Sequence, residues 1–229
     1  MNQAMIKKII KRIIPAELVY RLKVLAYRYC GHNSIKIGKS NKFIISNAVL
    51  KNCIVDIQGR NCYLEIGEHC ELSNCVIRIF GDDCKLSVGS EGIFRECTFW
   101  LEDSGSSILI GDKVRMTGKI GMGVVEGTRL TIGDDCLFSS DIQIMTTDSH
   151  SILDLSTGSR INPSKDVTIG RHVWVCRGVT IGKGVVVAAN VVIGAASYVS
   201  KSVTESNSIV AGVPAKIIKR GVDWDQYRR

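Results

Sequence analysis

A repeat with a period of 22 residues runs through the first half of the chain and limits what it can fold into. Three columns of residues, mostly apolar, recur at this spacing, and glycine follows the last four members of the first column. The first column is Ile44, Ile66, Val88, Ile110 and Ile132. The second is Leu50, Leu72, Phe94, Met116 and Phe138, and the third is Ile54, Val76, Thr98, Ile120 and Ile142. Such repetition predicts a solenoid, in which each coil buries its apolar side chains against the next.

The period changes to six residues beyond the middle of the chain. The hexads begin at Ile169, Val175, Ile181, Val187, Ile193 and Val199. Their fifth positions are Val173, Val179, Val185, Val191, Ser197 and Val203. Three hexads make a three-sided coil of 18 residues, so we interpret the 22-residue coils as the same coil with four more residues on the third side. Gly170, Gly182 and Gly194 follow an inward Ile, where we expect turns with unusual dihedral angles.

Composition agrees with a layered all-β solenoid rather than one globular core. Only 6% of the residues are aromatic, whereas 45% are hydrophobic and 22 are Gly. Seven of the nine cysteines fall on the repeat, which predicts that they stack as small apolar side chains and do not form disulfides or bind metal. The seven are Cys53, Cys75 and Cys97, Cys62 and Cys84, and Cys70 and Cys136. Stacked thiols are typical of a reducing compartment.

Residues 3–29 break the repeat and show helical spacing of apolar residues with basic residues between them. Pro15 separates two helices or starts the second one. One hypothesis is a cap over the first coil. The other is peripheral attachment of this basic amphipathic helix to an anionic membrane face. The basic charge of the chain is concentrated in this segment, so it gives little reason to expect a nucleic-acid partner. We expect a cytoplasmic protein, which would lie at the inner face of the membrane if the helix attaches there.

The rhythm of the repeat stops between Ile144 and Ile169, where about nineteen residues are inserted. An insertion of this size on a rigid scaffold is a candidate functional loop. It begins with Thr146-Thr147-Asp148-Ser149-His150, and of the four histidines only His150 lies at its root. We expect His69 and His172, on the coils, to be solvent-facing or turn residues.

Several motifs follow this loop in a fixed order. They are His150, Asn162-Pro163, Ile169-Gly170-Arg171-His172-Val173-Trp174, and Ala211-Gly212-Val213-Pro214-Ala215-Lys216. In this order the stretch resembles the hexapeptide-repeat acetyltransferases, which include the galactoside and maltose acetyltransferases and the capsule polysaccharide O-acetyltransferases. The resemblance implies an all-β fold, a left-handed parallel β-helix (triangular solenoid) with a short N-terminal α-helical cap.

The same resemblance implies roles for the residues around the loop. His150 would act as general base on an acceptor hydroxyl. Trp174 would form a wall for the acceptor or the pantetheine arm, or donate its indole N–H. Backbone N–H groups near Arg177 and Gly178 would hold the oxyanion. For the group that orients His150 we prefer Asp148, while Asp141, Asp154 and a backbone carbonyl stay open as alternatives, and Asp148 is equally suited to binding the acceptor.

Acetyl-CoA is the implied acyl donor, and no metal is expected. By resemblance, Ala195, Ser200 and Lys201 would contact the pantetheine arm and phosphates, and Lys216 and Lys219 the 3′-phosphate. The implied assembly is a homotrimer whose acceptor and coenzyme sites lie in the clefts between neighbouring solenoids.

The predicted organisation follows from these features. It is a helical cap at 1–35, 22-residue coils at 36–145, the active-site loop at 146–168, 18-residue coils at 169–206 and a tail at 207–229. The long coils and basic head differ from the small sugar acetyltransferases, so we expect O-acetylation of a surface-glycan sugar in capsule, O-antigen or exopolysaccharide. The alternatives are N-acetylation of a nucleotide-linked amino sugar and a purely structural β-solenoid scaffold.

Overall fold

The computed structural model describes residues 16–227, which form a left-handed parallel β-helix. A helix, α1 (Ala16–Cys30), precedes 24 strands that are numbered in chain order and form three sheets. Sheet one contains β1 (Ser34–Ile37), β4 (Ile54–Ile57), β7 (Val76–Ile79), β10 (Cys97–Leu101), β13 (Ile120–Val124), β16 (Ile142–Met145), β19 (Thr180–Ile181) and β22 (Tyr198–Val199).

The other two sheets complete each triangular coil. Sheet two contains β2 (Lys42–Ile45), β5 (Tyr63–Ile66), β8 (Lys85–Val88), β11 (Ser107–Ile110), β14 (Arg129–Ile132), β17 (Val167–Ile169) and β20 (Val186–Val187). Sheet three contains β3 (Val49–Lys51), β6 (Glu71–Ser73), β9 (Ile93–Arg95), β12 (Arg115–Met116), β15 (Leu137–Phe138), β18 (Trp174–Val175), β21 (Val191–Ile193), β23 (Ser208–Gly212) and β24 (Ala215–Arg220).

The strand register confirms one predicted column in full and corrects the other two. Leu50 to Phe138 pair coil by coil and are all buried. In the first column Ile45, not Ile44, pairs with Ile66. In the third column Ile120 pairs with Cys97 rather than Thr98. A corner that gains or loses one residue turns the next strand's side chains over, because alternate residues of a strand face opposite sides.

The hexad prediction is confirmed, since all six hexad starts and all six fifth positions are buried. The expected reason for the glycines is wrong. Gly67, Gly170, Gly182 and Gly194 do not have positive φ angles. At Gly67, Gly170 and Gly194 the next coil passes too closely for a side chain, whereas at Gly182 the nearest atom to an added Cβ is the Tyr198 hydroxyl at 3.2 Å. A Cβ on Gly67 would lie 2.7 Å from the carbonyl carbon of Gly89.

The predicted packing of the repeat cysteines inside the coils is also confirmed. All nine cysteines are free, and the seven on the repeat are buried. Burial raises the pKa of Cys136 to about 12 and that of Cys70 to about 11. These thiols therefore stay neutral and pack as small apolar side chains inside the coils.

Helix α1 packs beside β3, at the first coils. The hydroxyl of Tyr20 donates to the carbonyl of Cys70, and Lys23 forms an ion pair with Glu71. Val24 lies with Phe43 at a cavity at the solenoid end, so the helix covers part of that end. The expected helical residues 3–15 lie outside the described residues, and attachment to a membrane stays a prediction. No helix within residues 16–227 is long and apolar enough to cross a membrane.

The C-terminal end differs from the prediction. Strand β23 still pairs parallel with β21, so the solenoid extends past residue 207. Pro214 lies in the turn between β23 and β24, which pair antiparallel. A proline in a turn removes no ladder hydrogen bond, which explains why pairing continues on both sides.

Candidate active site

The predicted loop leaves the solenoid between β16 and β17 and covers residues 146–166. Ile132 pairs with Ile169 across it, a separation of 37 residues where the short coils have 18, so nineteen residues are inserted. A bridge between Leu153 and Arg160 folds the loop into a small hairpin. The loop therefore forms a small hairpin at the corner between sheets one and two.

Asn162 fixes the base of this loop through its side-chain amide. Its Nδ2 donates to the backbone carbonyl of His150 at 2.8 Å and to Oδ2 of Asp148 at 2.9 Å. Its Oδ1 accepts the backbone N–H of Ile152 at 2.7 Å. One buried amide thus binds the backbone at His150 and Ile152 and the side chain of Asp148. The sequence motif includes Asn162, but only the fold shows that its side chain holds the root of the loop.

Asp148 is held by a cation from the next coil. Nζ of Lys183 lies 2.5 Å from its Oδ2 and also donates to the backbone carbonyl of Asn162 at 2.8 Å. The hydrogen bonds from Lys183 and Asn162 lower the pKa of Asp148. Its carboxylate therefore anchors the loop root instead of bonding to the His150 ring.

The other two carboxylates predicted as partners of His150 also contact other residues instead of its ring. Asp141 pairs with Arg177 at 3.0 Å. Asp154 accepts hydrogen bonds from the hydroxyls and backbone N–H groups of Ser156 and Thr157, which lower its pKa to about 2. Across residues 16–227, no hydrogen bond to the His150 imidazole is found.

His150 is exposed and lies at a cavity of about 520 Å³ on the outer face of sheet one. Trp100, Gly121, Gly123, Gln143 and Met145 form much of its lining. Spacing does not reveal these five residues, because the residue types at outward positions change from coil to coil, although Thr98 of the third predicted column lines the same cavity.

Trp174 lies on a different face from His150. It belongs to β18 of sheet three, between Leu137 and Val192. Its indole Nε1 is buried and has no hydrogen-bond partner among the described residues. The described chain thus does not bring the two principal predicted residues together.

The C-terminal segment packs against Trp174. The Trp224 ring lies 6.0 Å from the Trp174 ring and stacks on His172 at 4.3 Å. The Trp224 indole N–H donates to the backbone carbonyl of His172. Oδ2 of Asp135 lies 2.6 Å from Nδ1 of the His172 ring. His172 is the expected turn residue, but its ring is half-buried in this stack rather than solvent-facing. Residues far apart in sequence make this contact, so spacing could not reveal it.

The backbone expected to hold an oxyanion is partly occupied. The N–H of Gly178 donates to the carbonyl of Ser140 at 2.9 Å, so this group is not free to stabilise an oxyanion. The side chain of Arg177 is exposed beside Asp141. Gly178 contributes instead to the corner between sheets three and one, where it stacks on Ala196.

The residues predicted to bind the coenzyme are exposed but lie in three places. Ala195 follows β21 at the same corner as Gly178. Ser200 and Lys201 follow β22, one coil beyond Lys183. Lys216 and Lys219 lie on β24, at the end of sheet three. All five side chains are open to solvent.

Comparison with curated proteins finds two relatives that carry the same name. A polysialic acid O-acetyltransferase of Escherichia coli O1:K1 / APEC is 42% identical over 123 residues, which cover 52% of this chain and 38% of the relative. A polysialic acid O-acetyltransferase of Neisseria meningitidis is 36% identical over 145 residues, which cover 63% of this chain and 53% of the relative. The chain matches about half or less of the length of these relatives. No family model matches it.

Solved structures match over most of the chain. The polySia-specific acetyltransferase NeuO superimposes with a TM-score of 0.80 and 31% identity, over 85% of this chain and 89% of that one. The polysialic acid O-acetyltransferase OatWY gives a TM-score of 0.70 and 34% identity, over 86% and 90%. With this identity over most of both structures, the chain belongs to the family of the polysialic acid O-acetyltransferases.

Proposed function

We propose that this protein transfers an acetyl group from acetyl-CoA to a hydroxyl of a surface-glycan sugar, with capsule polysaccharide as the class of acceptor. The observation that carries the proposal is the placement of His150. Its side chain is exposed at a cavity, while Asn162 holds its backbone carbonyl at 2.8 Å. A free imidazole on a fixed backbone is what a general base requires. The names of the relatives support the acceptor class.

In the proposed reaction His150 takes the proton of the acceptor hydroxyl as its oxygen attacks the thioester carbonyl. The tetrahedral intermediate then collapses, the C–S bond breaks and the thiolate of coenzyme A leaves. The imidazolium of His150 returns its proton to that thiolate. The products are an acetyl ester and free coenzyme A, so protons and electron pairs balance.

The contributions of other residues to this reaction are proposals too. The unpartnered indole N–H of Trp174 is suited to an oxygen of the donor or of the intermediate. Lys201, Lys216 and Lys219 are exposed cations suited to the phosphates of coenzyme A. Asp148 serves as a support for the loop through Lys183 and Asn162.

We also propose that the working site is shared between chains of a homotrimer. Two observations support this. His150 lies at sheet one and Trp174 on sheet three, so a neighbouring solenoid would be needed to bring one to the other. The loop also projects exposed apolar side chains, including Leu153, Leu155 and Ile161, which would pack against a neighbour.

Subunit mixing tests the shared site. Co-expressed His150→Ala and Trp174→Ala chains should recover about a quarter of wild-type activity, because half of the chains keep each residue and partners assort at random. The variant chains alone should be nearly inactive. No recovery from trimers shown to be mixed would contradict a shared site.

Release of the coenzyme A thiol tests the activity itself. The purified protein is incubated with acetyl-CoA alone, with polysialic acid and other capsule polysaccharides, and with nucleotide-linked amino sugars. We expect thiol release that depends on a polysaccharide and an alkali-labile ester in the product. Release only with amino sugars, with an amide product, would indicate N-acetylation. No release with any acceptor would contradict the proposed activity and favour a scaffold.

A further inference from the structure

We infer that Trp100 is the platform on which a sugar ring of the acceptor stacks, and that the cavity beside it accepts an uncharged, hydroxyl-rich part of the glycan. This rests on the proposed function and specifies how the acceptor is bound. Any carboxylate or phosphate of the glycan then stays outside the cavity.

Trp100 has one covered flank and one open flank. In sheet one it pairs with Arg78 of the preceding coil and Gly123 of the following coil. The Arg78 guanidinium lies 5.9 Å from its ring centroid and the Phe80 ring lies 4.8 Å away, so both support the indole from one side. On the other side Gly123 has no side chain, the end of the Met145 side chain lies over its backbone, and the cavity opens beside the indole. The part of the indole that lines the cavity is a flat apolar surface for the C–H face of a sugar ring.

Gly121 and Gly123 form the floor beside this platform. Both occupy outward positions of β13, and neither has a positive φ, so backbone conformation does not require glycine at either one. A Cβ on Gly121 would lie 2.4 Å from Oε1 of Gln143, and one on Gly123 would lie 2.6 Å from Cε of Met145. The side-chain ends of Gln143 and Met145 thus lie directly over the two glycines and form the floor together with them, and Trp100 and His150 lie at the same cavity.

The charged side chains that line the cavity are acidic, apart from His150, which is uncharged as a base. Glu102, Asp103 and Glu126 line the cavity, and no Lys or Arg does so within residues 16–227. Glu126 is paired with Arg160 at 2.7 Å, whereas Glu102 accepts only the indole N–H of Trp100 at 3.0 Å among the described hydrogen bonds. Carboxylates accept hydrogen bonds from sugar hydroxyls and repel anions. The lining therefore favours hydroxyl groups over the acidic groups of a glycan.

Steady-state kinetics of Trp100 variants test the platform. We expect Trp100→Ala to raise the KM for the polysaccharide about tenfold, while kcat and the KM for acetyl-CoA change less than about twofold. Trp100→Phe should recover most of the loss because a ring remains. Tyr63→Ala, which removes an outward aromatic side chain from sheet two, is the control and should have no effect. An unchanged polysaccharide KM in a folded Trp100→Ala protein would overturn the platform.

A charge reversal tests the uncharged occupant. Glu102→Lys places a cation in the cavity, and Asp56→Lys makes the same charge change on sheet one outside it. With polysialic acid, Glu102→Lys should lower kcat/KM relative to Asp56→Lys, because the cavity loses a carboxylate that accepts hydrogen bonds from sugar hydroxyls. A higher kcat/KM than Asp56→Lys would show that an anionic group enters, and would overturn the inference. Wild-type protein that transfers acetyl to no glycan would instead refute the proposed function.

Discussion

The Lys183 ammonium group lies 2.5 Å from the Asp148 carboxylate and ties the root of the His150 loop to the following coil. The pair joins two segments that the repeat alone would leave independent, because the loop is an insertion and Lys183 belongs to a regular coil. Asn162 bonds to the same carboxylate. The position of the proposed base therefore depends on residues that do not touch its ring.

The ion pair predicts a specific pH dependence of stability. The pKa of Asp148 is lowered in the folded protein below its ordinary value of 3.8, first by Lys183 and then by Asn162. Its stabilising contribution is thus present above the unfolded pKa and is lost as the pH falls through the folded pKa. Asp148→Asn should cost up to about 1 kcal/mol at neutral pH, since the carboxylate is partly exposed. Melting temperatures measured between pH 2 and 7 should converge for the two proteins at the acid end, and a gap independent of pH would refute this.

Asn162→Ala should impair catalysis more than it impairs folding. It removes the bonds to the carbonyl of His150, to Asp148 and to the N–H of Ile152, at a cost of about 1–3 kcal/mol. We expect kcat to fall at least tenfold, with little change in the KM for acetyl-CoA, because His150 loses its fixed backbone. Thr157→Ala at the tip of the same loop is the matched control and should keep its kcat. Equal kcat values for the two variants would mean that Asn162 does not position His150.

Glycine substitutions should separate close packing from turn geometry. At Gly67 an added Cβ would lie 2.7 Å from the backbone of the next coil, so Gly67→Ala should destabilise by about 3 kcal/mol. At Gly158 nothing lies within 4 Å, but φ is +67°, so Gly158→Ala should cost only about 1 kcal/mol. Denaturant titration gives both values. A larger loss at Gly158 than at Gly67 would contradict the stacking explanation.

The free thiols should differ sharply in reactivity. Cys30 is exposed and Cys176 is partly exposed, whereas burial raises the pKa of thiols such as Cys136 and Cys70. A thiol reagent at neutral pH should modify Cys30 first and Cys176 more slowly, and all nine cysteines only after unfolding. A reductant should not change the melting temperature. Fast modification of Cys136 in the native protein would contradict the packed column.

The fold could be predicted from the sequence because every coil repeats the same inward positions. The buried column from Leu50 to Phe138 and the hexads from Ile169 were placed correctly. Errors arose where a corner changed length by one residue, as at Ile44 and Ile120. At Ile44 the neighbouring Ile45 is aliphatic as well, and at Ile120 the spacing of 22 residues from Thr98 hides the shift of the strand register to Cys97. Glycine in a repeat likewise does not reveal whether a turn or a close backbone neighbour requires it.

The candidate site was only partly predictable. His150 could be identified because it lies at the root of an insertion that interrupts the regular repeat. The contacts of Asp148 with Lys183 and of Trp224 with His172 join residues that are 35 and 52 positions apart, and no periodic signal links them. Outward residues such as Trp100 carry no repeat pattern, so the cavity became visible only with the coils stacked.

The central claim is that His150 is the base for acetyl transfer to a glycan. The most direct measurement is kcat/KM for the polysaccharide with wild-type protein and with His150→Ala, in samples that have the same melting temperature. We predict a loss of about 10²–10⁴-fold, the usual contribution of a positioned base. Full transfer activity in the folded His150→Ala protein would contradict the account.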